Sequence, residues 1–274
     1  TEAPPAAAAG AEPTGRASGD TGSAGHGTMP AHMRPRGAHR AVPAANGLSS
    51  PRRKLEFVVQ DRALTVMLDS LAFPECPRWH EGRLWFSDMH DRKVWAMTQH
   101  AQSQLICEVA GQPSGLGWLP DGSLQIVSMT DRKLLRLQKG YLLEVADLSP
   151  FFDYNANDMV MDRKGRAYIG SFGFDLDGRG ESQSTSIVCV EPDGDAWVVI
   201  EGLLFPNGSV FSEDGRTLIV AESFGQRLSA YDVNEDGSLA NPRVWADLRP
   251  NVPDGICMDV DGAVWVADPV KKGI

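Results

Sequence analysis

The sequence predicts an all-β fold, a β-propeller, on three observations. A hairpin phrase recurs five times. Its turn glycines, Gly82, Gly122, Gly165, Gly215 and Gly262, lie 40, 43, 50 and 47 residues apart. No stretch sustains the i, i+3, i+4, i+7 apolar spacing of a long helix. A β-unit that recurs at about 40–50 residues is the signature of a propeller blade, because one such unit cannot bury its own apolar face.

Each unit follows the same script: alternating apolar residues, a turn with Gly where φ must be positive, then a second apolar strand. The first unit reads Pro77-Arg78-Trp79, a turn at Glu81-Gly82, Leu84-Trp85-Phe86, then Lys93–Met97. The second runs from Gly115 to Ser128 with a further strand at Lys133–Leu137, and the third from Met159 to Gly170. The fourth runs from Ser209 to Ala221 and the fifth from Ile256 to Ala267. Two more strands, Leu55–Val59 and Leu64–Leu68, are predicted ahead of the first unit, where they would pair with the last blade and close a ring. The chain stops at Ile274, so the fifth unit is expected to be truncated after its second strand.

Composition divides the chain into two domains. Residues 1–54 are rich in Ala, Gly, Pro and Ser and carry 7 Lys/Arg against 3 Asp/Glu. Such a segment buries too little apolar surface to offset its ordering entropy, so a disordered tail is expected there, with the propeller over 55–274. The propeller part carries 19 Lys/Arg against 33 Asp/Glu. An acidic body lacks the basic stripe of a nucleic-acid-binding surface but suits a cation. No run of 18 apolar residues and no secretory core is present, so neither membrane nor export is predicted. Cys76, Cys107, Cys189 and Cys257 stand singly, without metal-pair spacing; free thiols in a reducing, cytoplasmic setting are expected.

In a propeller the innermost strand of each blade starts at one mouth of the central channel. The residues just ahead of those strands are Glu75, Ser114, Asn157, Asn207 and Asp254. Any one of the Asn-Asp, Asn-Gly and Asp-Gly pairs among them is ordinary turn chemistry. Two carboxylates and two amides at equivalent places are an oxygen-donor set for one hard divalent cation, Ca²⁺ above all, with Mg²⁺, Mn²⁺ or Zn²⁺ as the other candidates. No His follows His100, which argues against an imidazole-rich centre. Asp232–Gly237 opens like a calcium loop but has Arg243 at its twelfth position and strand-like flanks, so it reads as a hairpin turn. Asp175–Gly180 reads as a solvated loop, and His80 and His90 as surface residues.

Residues 55–274 resemble the family of gluconolactonases, senescence marker protein and related calcium-dependent lactonases. The phrases that carry the resemblance are Phe73-Pro74-Glu75-Cys76-Pro77-Arg78-Trp79, Asn157-Asp158-Met159-Val160, Phe205-Pro206-Asn207-Gly208 and Pro253-Asp254-Gly255-Ile256-Cys257. The resemblance implies a six-bladed ring with one axial divalent cation held by Glu75, Asn207 and Asp254. Asn157 would be a fourth ligand or a substrate contact, and Asn155 would lie at the substrate. The implied reaction is hydrolysis of a small lactone, with Asp254 as catalytic base. Three departures stand out: Cys76 follows the Glu where the family carries Gly, Asn155 stands where sugar-lactone members carry Arg, and the final blade is missing. A scaffold or binding propeller and a metal-dependent phosphotriesterase are the alternatives; the axial donor set argues against a mere scaffold. Oligomeric state is not encoded legibly.

Overall fold

The computed structural model describes residues 65–175 and 181–274. These residues form eighteen β-strands and no helix. Blade 1 is β1 (Pro74–His80), β2 (Arg83–Asp88), β3 (Lys93–Thr98) and β4 (Ser103–Glu108). Blade 2 is β5 (Pro113–Trp118), β6 (Leu124–Ser128), β7 (Lys133–Gln138) and β8 (Tyr141–Asp147). Blade 3 is β9 (Ala156–Met161), β10 (Ala167–Ser171), β11 (Thr185–Val190) and β12 (Ala196–Leu203). Blade 4 is β13 (Pro206–Phe211), β14 (Thr217–Glu222), β15 (Arg227–Val233) and β16 (Leu239–Asp247). A fifth unit pairs β17 (Ile256–Met258) with β18 (Val264–Val266). Within each sheet the strands are antiparallel and neighbours in sequence order, the meander of a propeller blade.

The predicted hairpins form as read. Gly82, Gly122, Gly165, Gly215 and Gly262 all have positive φ, between 72° and 87°. Asp232–Gly237 is a hairpin turn, closed by the Gly237 N–H to the Asn234 carbonyl. Of the two strands expected ahead of the first unit, Leu55–Val59 lies outside the described residues. Thr65–Leu68 is no strand: it has no pairing partner among the described residues, and Val66 is 79% exposed. Its alternation is genuine, but no sheet edge among the described residues receives it. Residues 176–180 of the predicted solvated loop are also outside the described set.

The core is a series of layers between neighbouring blades. Val94, Leu116 and Ile126 pack blade 1 on blade 2, and Leu134, Met159 and Ile169 pack blade 2 on blade 3. Tyr168, Leu218 and Val220 join blades 3 and 4; Ile219 and Ala230 receive Ile256 and Val266 of the fifth unit. His80 is not a surface residue: it is half-buried and stacked on Trp118 at 4.0 Å. All four cysteines are free thiols, Cys76 and Cys189 buried and Cys257 exposed.

One irregularity recurs. The ladder between the first two strands of each complete blade slips near the start of the inner strand: between Glu75 and Arg78, Pro113 and Leu116, Ile169 and Ser171, and Pro206 and Ser209. A bulge bends its strand and re-aims one side chain. Four of the five candidate residues therefore lie inside β1, β5, β9 and β13 rather than ahead of them, as the sequence suggested. Only Asp254 precedes its strand.

Candidate functional site

The inner strands bring the predicted residues to one polar cluster. Asn157, 7% exposed, spans two neighbours: Ser114 Oγ donates to its Oδ1 at 3.4 Å, and its Nδ2 donates to Asn207 Oδ1 and to the Pro206 carbonyl, each at 3.4 Å. Asn207 Nδ2 donates to Ser223 Oγ at 3.3 Å, and Ser223 Oγ donates to the Pro253 carbonyl at 2.7 Å. The Asn207 amide also favours the charged form of the Asp254 carboxyl, against the burial that raises it. Blades 2, 3 and 4 and the fifth unit are thus joined by one hydrogen-bonded belt, and Cys76 of blade 1 joins it through Ser114 Oγ at 3.7 Å.

Two carboxylates sit above this belt under electrostatic load. Burial, then repulsion from Asp254 and Asp158, pushes the Glu75 carboxyl from its ordinary value of 4.5 to about 7. Burial and repulsion from Asp158 also raise the Asp254 carboxyl. Among the described residues neither takes part in an ion pair. Arg78 is committed to Asp158, donating to its Oδ1 at 2.6 Å and to the Met159 carbonyl at 2.8 Å. Two loaded carboxylates beside amide oxygens suit a hard cation, which neutralises charge that the protein leaves unpaired. Among the described residues no three His, Cys, Asp or Glu side chains are grouped as a metal site, so the amides are needed to complete the set.

Asn155, half-buried, is engaged through its backbone, its carbonyl accepting the Phe172 N–H at 3.0 Å. Sequence reasoning missed Arg78 and Asp158. Both stand within the quoted phrases, and an acid directly after Asn157 in an acidic channel was a signal for a paired base. A cavity of about 740 Å³ lies at the other end of the inner strands, between the hairpins of blades 3 and 4 at Lys164, Ser212 and Asn234. Its lining mixes both charge signs and includes none of the axial residues.

Fold and cluster together define a propeller whose inner strands gather carboxylates and amides into one polar cluster. Residues 73–274 match the family model described as the SMP-30/gluconolactonase/LRE-like region, and the chain belongs to that family. It is 25% identical over 200 residues to pentonolactonase XacC of Haloferax volcanii, covering 70% of this chain and 65% of that protein. It is 25% identical over 132 residues to regucalcin of Danio rerio, covering 47% of this chain and 44% of that protein. The chain thus spans less than two thirds of the length of either relative. A solved structure of a calcium-binding regucalcin from Agrobacterium tumefaciens superposes with a TM-score of 0.61 at 22% identity, over 72% of this chain and 68% of that one. The expected family is confirmed, and so is the all-β propeller architecture.

Proposed function

We propose that this chain carries the active site of a divalent-cation-dependent lactone hydrolase, with Glu75, Asn207 and Asp254 holding Ca²⁺ and a small lactone as substrate. The observation that carries the reading is a pair of half-buried carboxylates, Glu75 and Asp254, in no ion pair among the described residues, whose carboxyls are both raised beside one amide belt. The names of the relatives, pentonolactonase and a calcium-binding regucalcin, support the reaction class and the ion. The six-bladed ring that the resemblance implies is part of the same proposal, as is the extent of the propeller over 55–274.

A bound divalent cation would supply polarisation of the lactone carbonyl and a counter-charge for the oxyanion. The chain's own groups do the rest. Asp254 has two oxygens: one suffices as a ligand, and the other accepts a proton from water as that water attacks the carbonyl carbon. The ring C–O bond then breaks, and the leaving oxygen takes the proton back. Asn157, held from both sides, has both amide hydrogens engaged and keeps one lone pair of its Oδ1 to accept from a substrate hydroxyl. Asn155 offers only a neutral side chain where a cationic one would clamp a sugar acid, so a less polar lactone is expected to turn over faster than a sugar-acid lactone.

The test is a Ca²⁺ titration by calorimetry on the chain and on Glu75→Gln, followed by a panel of lactones and a phosphotriester. Wild-type binding that the variant loses by 100-fold or more, with lactone turnover, is expected. Undiminished binding by Glu75→Gln would sink the site, and turnover of the phosphotriester alone would reassign the reaction.

A further inference from the structure

The units can be aligned by one hydrogen bond. The residue after the second strand donates its N–H to the carbonyl two places before the axial side chain: Met89 to Phe73, Met129 to Gln112, Phe172 to Asn155 and Ser223 to Phe205. The last residue of each second strand is therefore an equivalent position, occupied by Asp88, Ser128, Ser171 and Glu222. In the fifth unit Asp254 N–H bonds to the Ala267 carbonyl, which places Asp268 there.

Three of these five residues are carboxylates, and they do the same thing. Asp88 accepts the backbone N–H groups of Ala72 at 3.1 Å and Phe73 at 2.7 Å. Glu222 accepts that of Leu204 at 3.1 Å, and Asp268 that of Val252 at 3.3 Å. Each thereby holds the segment two or three residues ahead of Glu75, Asn207 or Asp254. The other two units carry Ser128 and Ser171, whose buried hydroxyls have no partner among the described residues. Those units present Ser114 and Asn157.

The blade does not need the carboxylate to form, because blades 2 and 3 fold without it. At Asp88 it is also costly, since the residue is 1% exposed and, among the described residues, in no ion pair; Glu222 is fully buried but paired with Arg227 at 2.8 Å, and Asp268 is half-buried. A carboxylate bonded to the same backbone stretch in three units and replaced by Ser in two calls for a task present only in the three. Those three units carry the residues that hold the cation in the reading above, and Glu75 and Asp254 must also keep their place against the repulsion of a neighbouring carboxylate. Charge-assisted bonds to backbone N–H groups are strong and directional, and partners behind a ligand orient it.

We propose that Asp88, Glu222 and Asp268 are positioning residues that fix the three cation-holding segments, and that Asn157 and Ser114, on unlatched units, do not hold the cation. This rests on the cation-site reading above. The experiment measures Ca²⁺ affinity by calorimetry, with a melt of each calcium-free protein, for the full chain, Asp88→Ser, Asp88→Asn and Ser171→Ala. Asp88→Ser is expected to weaken Ca²⁺ by roughly 10- to 100-fold. Asp88→Asn keeps an acceptor oxygen and should restore most of that loss, and Ser171→Ala should bind as wild type. Wild-type affinity in a folded Asp88→Ser protein, whatever its melting temperature, overturns the latch while leaving the cation site standing. Absence of Ca²⁺ binding by the wild-type chain overturns both. Should Asp88→Ser not fold, Asp268→Ser, at a half-buried position of the short sheet, carries the same measurement with the same two outcomes.

Discussion

The seam between blades 1 and 2 and the seam between blade 4 and the fifth unit solve one packing problem in opposite ways. Both are formed by the residue directly after an axial side chain. At the first seam that residue is Cys76, which takes a left-handed φ of 51° and buries its thiol against Ser114. At the second it is Gly208, whose N–H bonds to the Asp254 carbonyl at 3.1 Å. A Cβ on Gly208 would stand 2.5 Å from Ile256 N and 2.8 Å from that carbonyl oxygen. One seam is filled by a side chain under backbone strain; the other is closed backbone to backbone and has no room for a side chain at all. A small residue after an axial residue thus has two unrelated causes.

The comparison breaks most visibly at Gly208. Gly208→Ala must push Asp254–Ile256 outwards, since the obstructing atoms are backbone and cannot rotate away. Overpacking of this kind costs about 1–3 kcal/mol, and more where the backbone must shift. A loss of about 3 kcal/mol in a denaturant melt is expected, together with loss of Ca²⁺ binding, because Asp254 moves with its backbone. A variant with wild-type stability would show that the fifth unit docks loosely and that the seam is no constraint.

The next effect in size contrasts the charges at the two seams by pH. The folded calcium-free protein keeps a proton on Glu75 up to about 7, whereas the unfolded chain releases it near 4.5. Stability from this group is therefore present below 4.5 and lost as pH rises towards 7, the reverse of a salt-bridged carboxylate. The drop is on the order of 2–3 kcal/mol, and Asp254 adds to it in the same direction. Saturating Ca²⁺ should flatten the slope, because binding requires the ionised carboxylate. Melts from pH 4.5 to 7.5 with EDTA and with Ca²⁺ check this; parallel curves would mean that Glu75 does not face the cation.

The strands, their turns and their spacing were legible because a positive-φ Gly and two-residue alternation are local signals. Glu75, Asn157, Asn207 and Asp254 could be picked out because they recur at one register. What was not legible was non-local. The bulges that draw Glu75 and Asn207 into their strands depend on which residue the opposite strand offers. The Arg78–Asp158 pair joins residues 80 positions apart. Asn207-Gly208 reads as a turn in sequence and is a strand in the structure, because the cause of the glycine is a backbone almost 50 residues further on. The Thr65–Leu68 alternation failed for the complementary reason: a pattern predicts a strand only where an edge receives it.

The smallest predicted effect sharpens the comparison at Cys76. A left-handed φ costs a residue with a Cβ about 1–2 kcal/mol relative to glycine. Cys76→Gly relieves that cost but gives up the buried thiol, and it adds freedom to the unfolded chain, which together offset about the same amount. The net change in stability is expected to stay within about 1 kcal/mol of zero in a denaturant melt. The seam should be the place where the loss shows, since Ser114 Oγ is left with Asn157 alone. Slightly faster amide exchange at Ser114 and Gly115 is therefore expected while that at Gly208 is unchanged. A destabilisation of several kcal/mol would show that the thiol, rather than the backbone conformation, governs residue 76, and that side-chain filling holds blade 1 to blade 2.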